Sequence, residues 1–466
     1  MASLKRTVAF LPSQLGDESD VPISYTGSPL ALLWSDLRLV AMHMPNVLGV
    51  MCPTHLLHDR DPYDETYPSP VNLVAIAAHG FLFFAQCVFL ASLVVCLFIP
   101  AGWSILWFLG YLGFNHVFCR LTLNGGEPVL HPTVKIPEDP RHEGEYWVFI
   151  NGVSVGKTWL QSNVNRLSIT FGRRVVGILN PTDGILFDLI QCLVQRNFCY
   201  STSDVRSAYT TIKAALTSET NKKVVLILHS QGAIEGGLII DWLFAELPRP
   251  HLEKLEVYTF GAAANHFNNP HITTSAAAHP SRHPHAKVVK HIEHYVNTGD
   301  FVAQIGALNY CRVAGRFMGR LFQRSASGHL LNEHYLRTMF PLNEARTAVA
   351  PQNDFMNAEV VVSRNEEGGH EREAARPHGA LTLAPGARGG RREDLASSMA
   401  WTGEEEEKVE VGYVEDINTP VTPIRRAGTF GAEGILRVRD FSRLWLYRDG
   451  GCPPDVPEVR MRAVEE

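Results

Sequence analysis

From Thr66 to Cys119 the chain carries no Asp, Glu, Lys or Arg, a run of 54 residues in which only His79 and His116 can charge near neutral pH. As one helix, at ~1.5 Å per residue, it would reach about 80 Å. A bilayer core is roughly 30 Å thick, so the run suits two helices better than one. Pro100-Ala101-Gly102 falls past its middle, where proline breaks the helical ladder and glycine permits a turn. The expectation is a hairpin, Leu73–Ile99 outward and Trp103–Leu123 back, with both ends on one side of a membrane. Trp103, Trp107 and Tyr111 are residues of the kind that settle at membrane interfaces. A buried core helix pair is the competing reading. A spanning hairpin and one that dips in and returns both remain open, and the flanking charge is too sparse to orient either.

Composition narrows the classes. Of 466 residues, 45% are hydrophobic and 19% charged, with a net charge of −6; roughly 25% charged is usual for soluble domains. No basic block supports nucleic-acid binding, and collagen-like, coiled-coil and wholly disordered classes are excluded. The eight cysteines form no C-x-x-C pair, and Cys87, Cys96 and Cys119 lie inside the apolar run, so neither a disulfide framework nor a zinc site is expected. No N-x-S/T sequon occurs, and the apolar run Val8–Leu11 behind Lys5-Arg6 is too short for a signal peptide. The globular part is expected to face the reducing cytosol, on the endoplasmic reticulum or a lipid droplet.

Four regions follow: a polar N-terminal region, 1–70, with an apolar stretch at Ala31–Val50; the hydrophobic hairpin, 71–123; an α/β domain, 124–345, opening on a linker at Gly125–Glu145; and a tail, 346–466. Short apolar runs alternating with helical patterns predict a mostly parallel sheet flanked by helices. The strands are Trp147–Ile150, Val175–Leu179, Val224–Leu228, Leu255–Phe260, Val288–Val296 and Phe317–Gln323. The helices are Ile185–Arg196, Ser203–Leu216, Gly232–Leu247 and Leu331–Met339. Gly379–Arg392 and Glu404–Glu407 make the tail read as mostly disordered, with an ordered patch at 435–447 and possible phosphorylation at Thr419 and Thr422.

Three chemical signals stand out. Asn151-Gly-Val-Ser-Val-Gly-Lys-Thr158 resembles a P-loop, but three residues rather than four separate Gly152 from Gly156, so a nucleotide-binding reading is kept only as a remote alternative. The histidines at 266, 271, 279, 283, 285, 291 and 294 lack metal-ligand spacing, and Thr273–His285 reads as a loop able to cover a site. The strongest signal is Val224–Leu228, an apolar strand running through His229-Ser230-Gln231-Gly232 into a helix. Strand, sharp turn carrying serine and helix make a nucleophile elbow. Asp300 and His329 each follow a later strand, in the chain order serine, aspartate, histidine. Backbone N–H groups of Gln231 and of Gly152 or Val153 are placed to form an oxyanion hole, and His334 is the alternative base.

Residues 146–340 resemble an α/β-hydrolase, in particular the class 3 lipases. Thr259-Phe260-Gly261, Asn265-His266-Phe267, Asp300 and His329-Leu-Leu-Asn-Glu-His334-Tyr335 carry the likeness. The wider arrangement resembles uncharacterised fungal membrane-anchored proteins with this domain. The resemblance implies a serine esterase acting on a lipid or other acyl ester with no cofactor; a hydrolase-fold membrane scaffold that has lost its chemistry is the alternative. In one departure, Leu228 stands where the family's elbow carries a glycine, at a position that normally needs a small side chain.

Overall fold

The computed structural model describes residues 7–11, 28–53, 61–270, 287–311, 316–362 and 436–454. Nine strands form one sheet: β1 (Thr7–Leu11), β2 (Val129–Leu130), β3 (Glu145–Ile150), β4 (Val175–Ile178), β5 (Lys223–His229), β6 (Leu255–Phe260), β7 (His291–Gly299), β8 (Arg320–Ser327) and β9 (Glu359–Val362). Their order is β2-β4-β3-β5-β6-β7-β8-β1-β9. The six central strands, β4 to β8, run parallel, while β2 and β1 pair antiparallel with their inner neighbours. The protein is therefore α/β, with a mostly parallel mixed sheet flanked by helices.

Side chains alternate across a strand, and the two faces of this sheet build two cores. Val148, Ile150, Leu226 and Leu228 join one; Trp147, Phe149, Val225 and Ile227 join the other. Burial on both faces explains why these strands are almost continuously apolar. The flanking helices are α1 (Pro29–His43), α2 (Pro70–Cys96), α3 (Ala101–Cys119), α4 (Gly156–Phe171), α5 (Ile185–Phe198), α6 (Ser203–Thr217) and α7 (Gln231–Glu246). The stretch Ala31–Val50 is α1 followed by a 3-10 turn, Met44–Gly49. Helix α4 was not anticipated, because its first turn reads as the P-loop look-alike. There Lys157 pairs with Glu127 at 2.8 Å.

Helices α2 and α3 form the hairpin, turning over Leu97–Pro100. Among the described residues α2 is the one helix long and apolar enough to cross a membrane, and a third of its most apolar window is buried. That buried face docks on the sheet's helices. Ala75, Ala78 and Leu82 cluster with Trp159 of α4, and the His79 ring stacks on Trp159 at 5.4 Å. Farther along, Gln86 donates to the Asp183 carbonyl (2.6 Å) and accepts from Leu186 N (3.2 Å), while Asn115 donates to the same carbonyl (2.8 Å).

Three expected boundaries move. The N-terminal region supplies β1 to the sheet. The linker contributes β2, and Thr133 is held by Asn165 at 2.8 Å. The folded unit does not end near 345 either: residues 346–362 and 436–454 complete the second core through Phe355, Met356, Phe441, Leu444 and Tyr447. The patch expected at 435–447 is helical over Val438–Phe441 and forms 3-10 turns over Leu444–Gly450, kinked at Arg448 and Asp449. Tertiary partners order it: Arg443 grips Glu256 of β6 (2.9 Å), and Tyr447 donates to the same carboxylate (2.8 Å). The Gly379–Arg392 and Glu404–Glu407 segments, Thr419 and Thr422 lie outside the described residues.

Burial opposes ionisation of Glu256, but the charge of Arg443, with His291 and Lys223, outweighs it and holds the carboxyl at about 2. A depressed carboxyl contributes stability that is complete above its ordinary 4.5 and is lost as pH falls toward 2. Arg443→Met should therefore lower unfolding free energy near neutral pH by about 3–5 kcal/mol. The deficit should shrink on acidification toward pH 2, as urea titrations across that range will measure. A deficit independent of pH would mean that Arg443 acts through packing alone.

Candidate active site

Ser230 sits between β5 and α7 with φ 57° and ψ −121°, a region that non-glycine residues rarely enter and that costs about 1–3 kcal/mol. The surroundings hold it there. Ser230 N donates to Phe260 O (3.2 Å), and Ser230 O accepts from Ala233 N and Ala263 N (both 3.1 Å). Glycines clear the space around the turn. A Cβ on Gly152 would stand 2.4 Å from Ser230 Cβ, and one on Gly232 would stand 2.5 Å from Ile150 O. The departure at Leu228 has its compensation at Gly236, where a Cβ would meet Leu228 Cδ1 at 2.3 Å. The bulk absent from the helix is present on the strand.

Asp300 lies at the carboxyl end of β7. Its Oδ1 accepts from Val302 N (2.9 Å), and its Oδ2 pairs with His329 Nδ1 (2.9 Å). Tyr335 donates a 2.6 Å hydrogen bond to the same Oδ2 and accepts one from Asn297 N (3.2 Å). With Nδ1 facing Asp300, the other ring nitrogen of His329, Nε2, is buried without a partner among the described residues. The His329 ring stacks on His229, the neighbour of Ser230, at 4.7 Å. His229 donates through Nε2 to His329 O (2.8 Å), and burial, with His329 beside it, lowers its pKa to about 3. Ser230, Asp300 and His329 are all buried, at 2%, 1% and 4% exposure.

His334 occupies a different environment. Its Nδ1 accepts from Leu330 N (2.9 Å), and its Nε2 donates to Cys52 O (2.9 Å). Both nitrogens are committed to backbone, and its ring fills the space a Cβ on Gly328 would need. Asp300 pairs with His329, not with His334.

The proposed oxyanion donors also come together. Gln231 is the first residue of α7, where an N–H has no acceptor within the helix. Gly232 allows that helix end to press against the backbone at Ile150 and Asn151, and Gly152 lies against Ser230. The Asn151 side chain fixes this turn: its amide donates to Gly152 O (2.9 Å) and Asn180 O (3.0 Å). Asn180 in turn donates to the Gln231 side chain (2.8 Å). One residue past Val153, Ser154 N donates to Asp188 of α5 (2.9 Å). Burial lifts that carboxyl to about 6. Asp188 carries no local signature.

Among the other histidines, His266 bonds Asp241 and Asn265, and His294 bonds Thr259 and Met318 O. The loop Thr273–His285, expected to cover the site, lies outside the described residues. Instead, residues 50–52 run along the site: Val50 O accepts from His329 N (3.3 Å), and Cys52 O accepts from His334. Compared with known proteins, the chain matches no protein-family model, no curated protein and no solved structure.

Gly236→Ala should destabilise the protein by about 1–3 kcal/mol through overpacking, and Leu228→Ala by about 2–5 kcal/mol through the cavity it leaves. The double variant should lose clearly less than their sum, since each change relieves the other. Chemical denaturation of the four proteins gives the coupling; additive losses would show that Leu228 and Gly236 do not share that space.

Proposed function

We propose that the protein is a membrane-anchored serine hydrolase of α/β-hydrolase type, cleaving a lipid or other acyl ester. The observation that carries this reading is the Asp300–His329 pair, whose imidazole stacks on His229, next in the chain to a serine at a strained strand-to-helix turn. In the proposed reaction His329 Nε2 takes the Ser230 hydroxyl proton as Oγ attacks the acyl carbonyl. Asp300 holds the imidazole tautomer and offsets the imidazolium charge, with Tyr335 steadying the carboxylate. The backbone N–H groups of Gln231 and of Gly152 or Val153 receive the developing oxyanion. The proton passes to the leaving alkoxide, releasing an alcohol. Water, deprotonated by the same nitrogen, then attacks the acyl-serine, releasing the carboxylic acid and restoring Ser230. None of these steps requires a cofactor.

The apolar hairpin supports membrane attachment, and a lipid ester is the substrate class such an anchor would bring within reach. No disulfide joins any of the eight cysteines, which is compatible with a domain facing the cytosol, on the endoplasmic reticulum or a lipid droplet.

A fluorophosphonate probe should label the wild-type protein at Ser230, and Ser230→Ala should abolish labelling. Against a short-chain nitrophenyl ester, Ser230→Ala and His329→Ala should each lower kcat by about 10⁴–10⁶-fold, and the double variant little further, because the members act as one unit. His334→Ala should alter stability more than kcat. A folded wild-type protein that neither labels nor turns over ester would replace this reading with that of a membrane scaffold lacking the chemistry.

A further inference from the structure

The hairpin is not the only apolar surface the fold leaves uncovered. Helix α5 packs between α1 and α2, and both α1 and α5 present an outward stripe at helical spacing. On α5 it is Ile190, Val194 and Phe198; on α1 it is Leu30, Trp34 and Leu37. These side chains are 37–69% exposed. The charges of α5 all turn inward. Asp188 bonds Thr182 and Ser154, and Arg196 is buried against Asp36 of α1, Ala263 O and Ile305 O. That buried ion pair locks α1 onto α5, so the two stripes are held side by side.

The hairpin itself has a limited free length. Gln86 and Asn115 tie its two helices to the loop before α5, and Phe187 of α5 packs on Phe89 and Tyr111. Only the segment beyond Phe89 and Tyr111 stands clear of the domain. Its two arms, 90–99 and 101–110, at ~1.5 Å per residue reach about 15 Å, short of the roughly 30 Å of a bilayer core. A spanning pose would also sink the solvent-exposed His116–Asp183 pair, which lies at the level of those ties, into hydrocarbon.

We infer that the protein enters its membrane from one side only, and that its contact surface extends from the hairpin across α5 and α1. The tip around Phe98 and Trp103, 84% and 68% exposed, reaches into one leaflet. Helices α5 and α1 lie at the boundary between headgroups and acyl chains, as amphipathic interfacial helices do. The partner is the acyl boundary of a phospholipid leaflet. Arg38, whose guanidinium lies 5.6 Å from the Trp34 ring, stands where it meets lipid phosphate. The inner face of α5 carries Asp188, the residue that fixes Ser154 beside the proposed oxyanion donors, so the same helix faces lipid outside and the candidate site inside.

This inference rests on the membrane reading of the hairpin, and one experiment separates the two. Full-length protein in palmitoyl-oleoyl phosphatidylcholine vesicles carries the photocrosslinker p-benzoylphenylalanine in turn at positions 34, 194 and 198, at position 103 in the tip, and at position 290 on the exposed Lys290 site. Irradiation should give phospholipid adducts, read by intact mass, at 34, 194, 198 and 103 and not at 290. An adduct at 103 with none at 194 and 198 overturns the extended surface and leaves the anchor standing. No adduct at 103 overturns the membrane reading and this inference together. Depth is tested with Gly102→Cys, a position with open space around it. A membrane-impermeant maleimide trapped in the vesicle lumen should leave it unlabelled; labelling from the lumen would mean the hairpin crosses the bilayer.

Discussion

Helix α7 begins against bare backbone. With no side chain on Gly232, its first turn lies where a Cβ would meet the Ile150 and Asn151 carbonyl oxygens at 2.5 and 2.8 Å. Ser230 is thereby forced into its positive-φ turn, the N–H of Gln231 stands at the sheet's carboxyl edge, and Gly152 must also lack a side chain. Everything else in the candidate site is arranged around that approach. Leaving a parallel sheet at its carboxyl end is how α/β folds bring residues from distant strands together. Asp300 follows β7 and His329 follows β8, so their meeting depends on the strand order and not on their separation along the chain.

A chain of buried amides and carboxylates connects this centre to the hairpin. Asn124, just past α3, exchanges hydrogen bonds with Thr182 at 2.8 and 2.9 Å. Thr182 donates to Asp188 (2.6 Å), which receives Ser154 N. Gln86 and Asn115 hold the adjoining Asp183 carbonyl. In a dry interior each such group must find a partner, so Gln86 and Asn115 are committed to the domain, while Ser92 and Ser104 bond within the hairpin. The pair is therefore a rigid continuation of the α/β unit, with apolar surface on the sides the domain does not cover.

The C-terminal segment shows the same economy. Glu256 and Glu293 are buried on the sheet, and residues 442–447 supply their partners: Arg443 and Tyr447 for the first, the N–H groups of Arg443 and Leu444 for the second. Buried carboxylates without such donors would be costly, so the returning segment completes the sheet's second face.

The sequence by itself determined the parallel strands, because burial on both faces demands continuous apolar runs such as Val224–Leu228. It determined the break at Pro100, where proline cannot continue a helix. It also marked Ser230, Asp300 and His329 as residues following strands. It did not reveal α4, whose glycine-rich start resembles a phosphate loop, nor where the ordered patch expected at 435–447 would pack, which is against Trp147 and Phe340. Tertiary structure alone gave His329 and His334 their different surroundings: they are five residues apart in sequence, but one is aimed at a carboxylate and the other is held by backbone. The same is true of Leu228, which local pattern marks as too large for its place. Only the packing of α7 across β5 shows that Gly236 removes the opposing side chain, because van der Waals exclusion acts between neighbours in space and not along the chain.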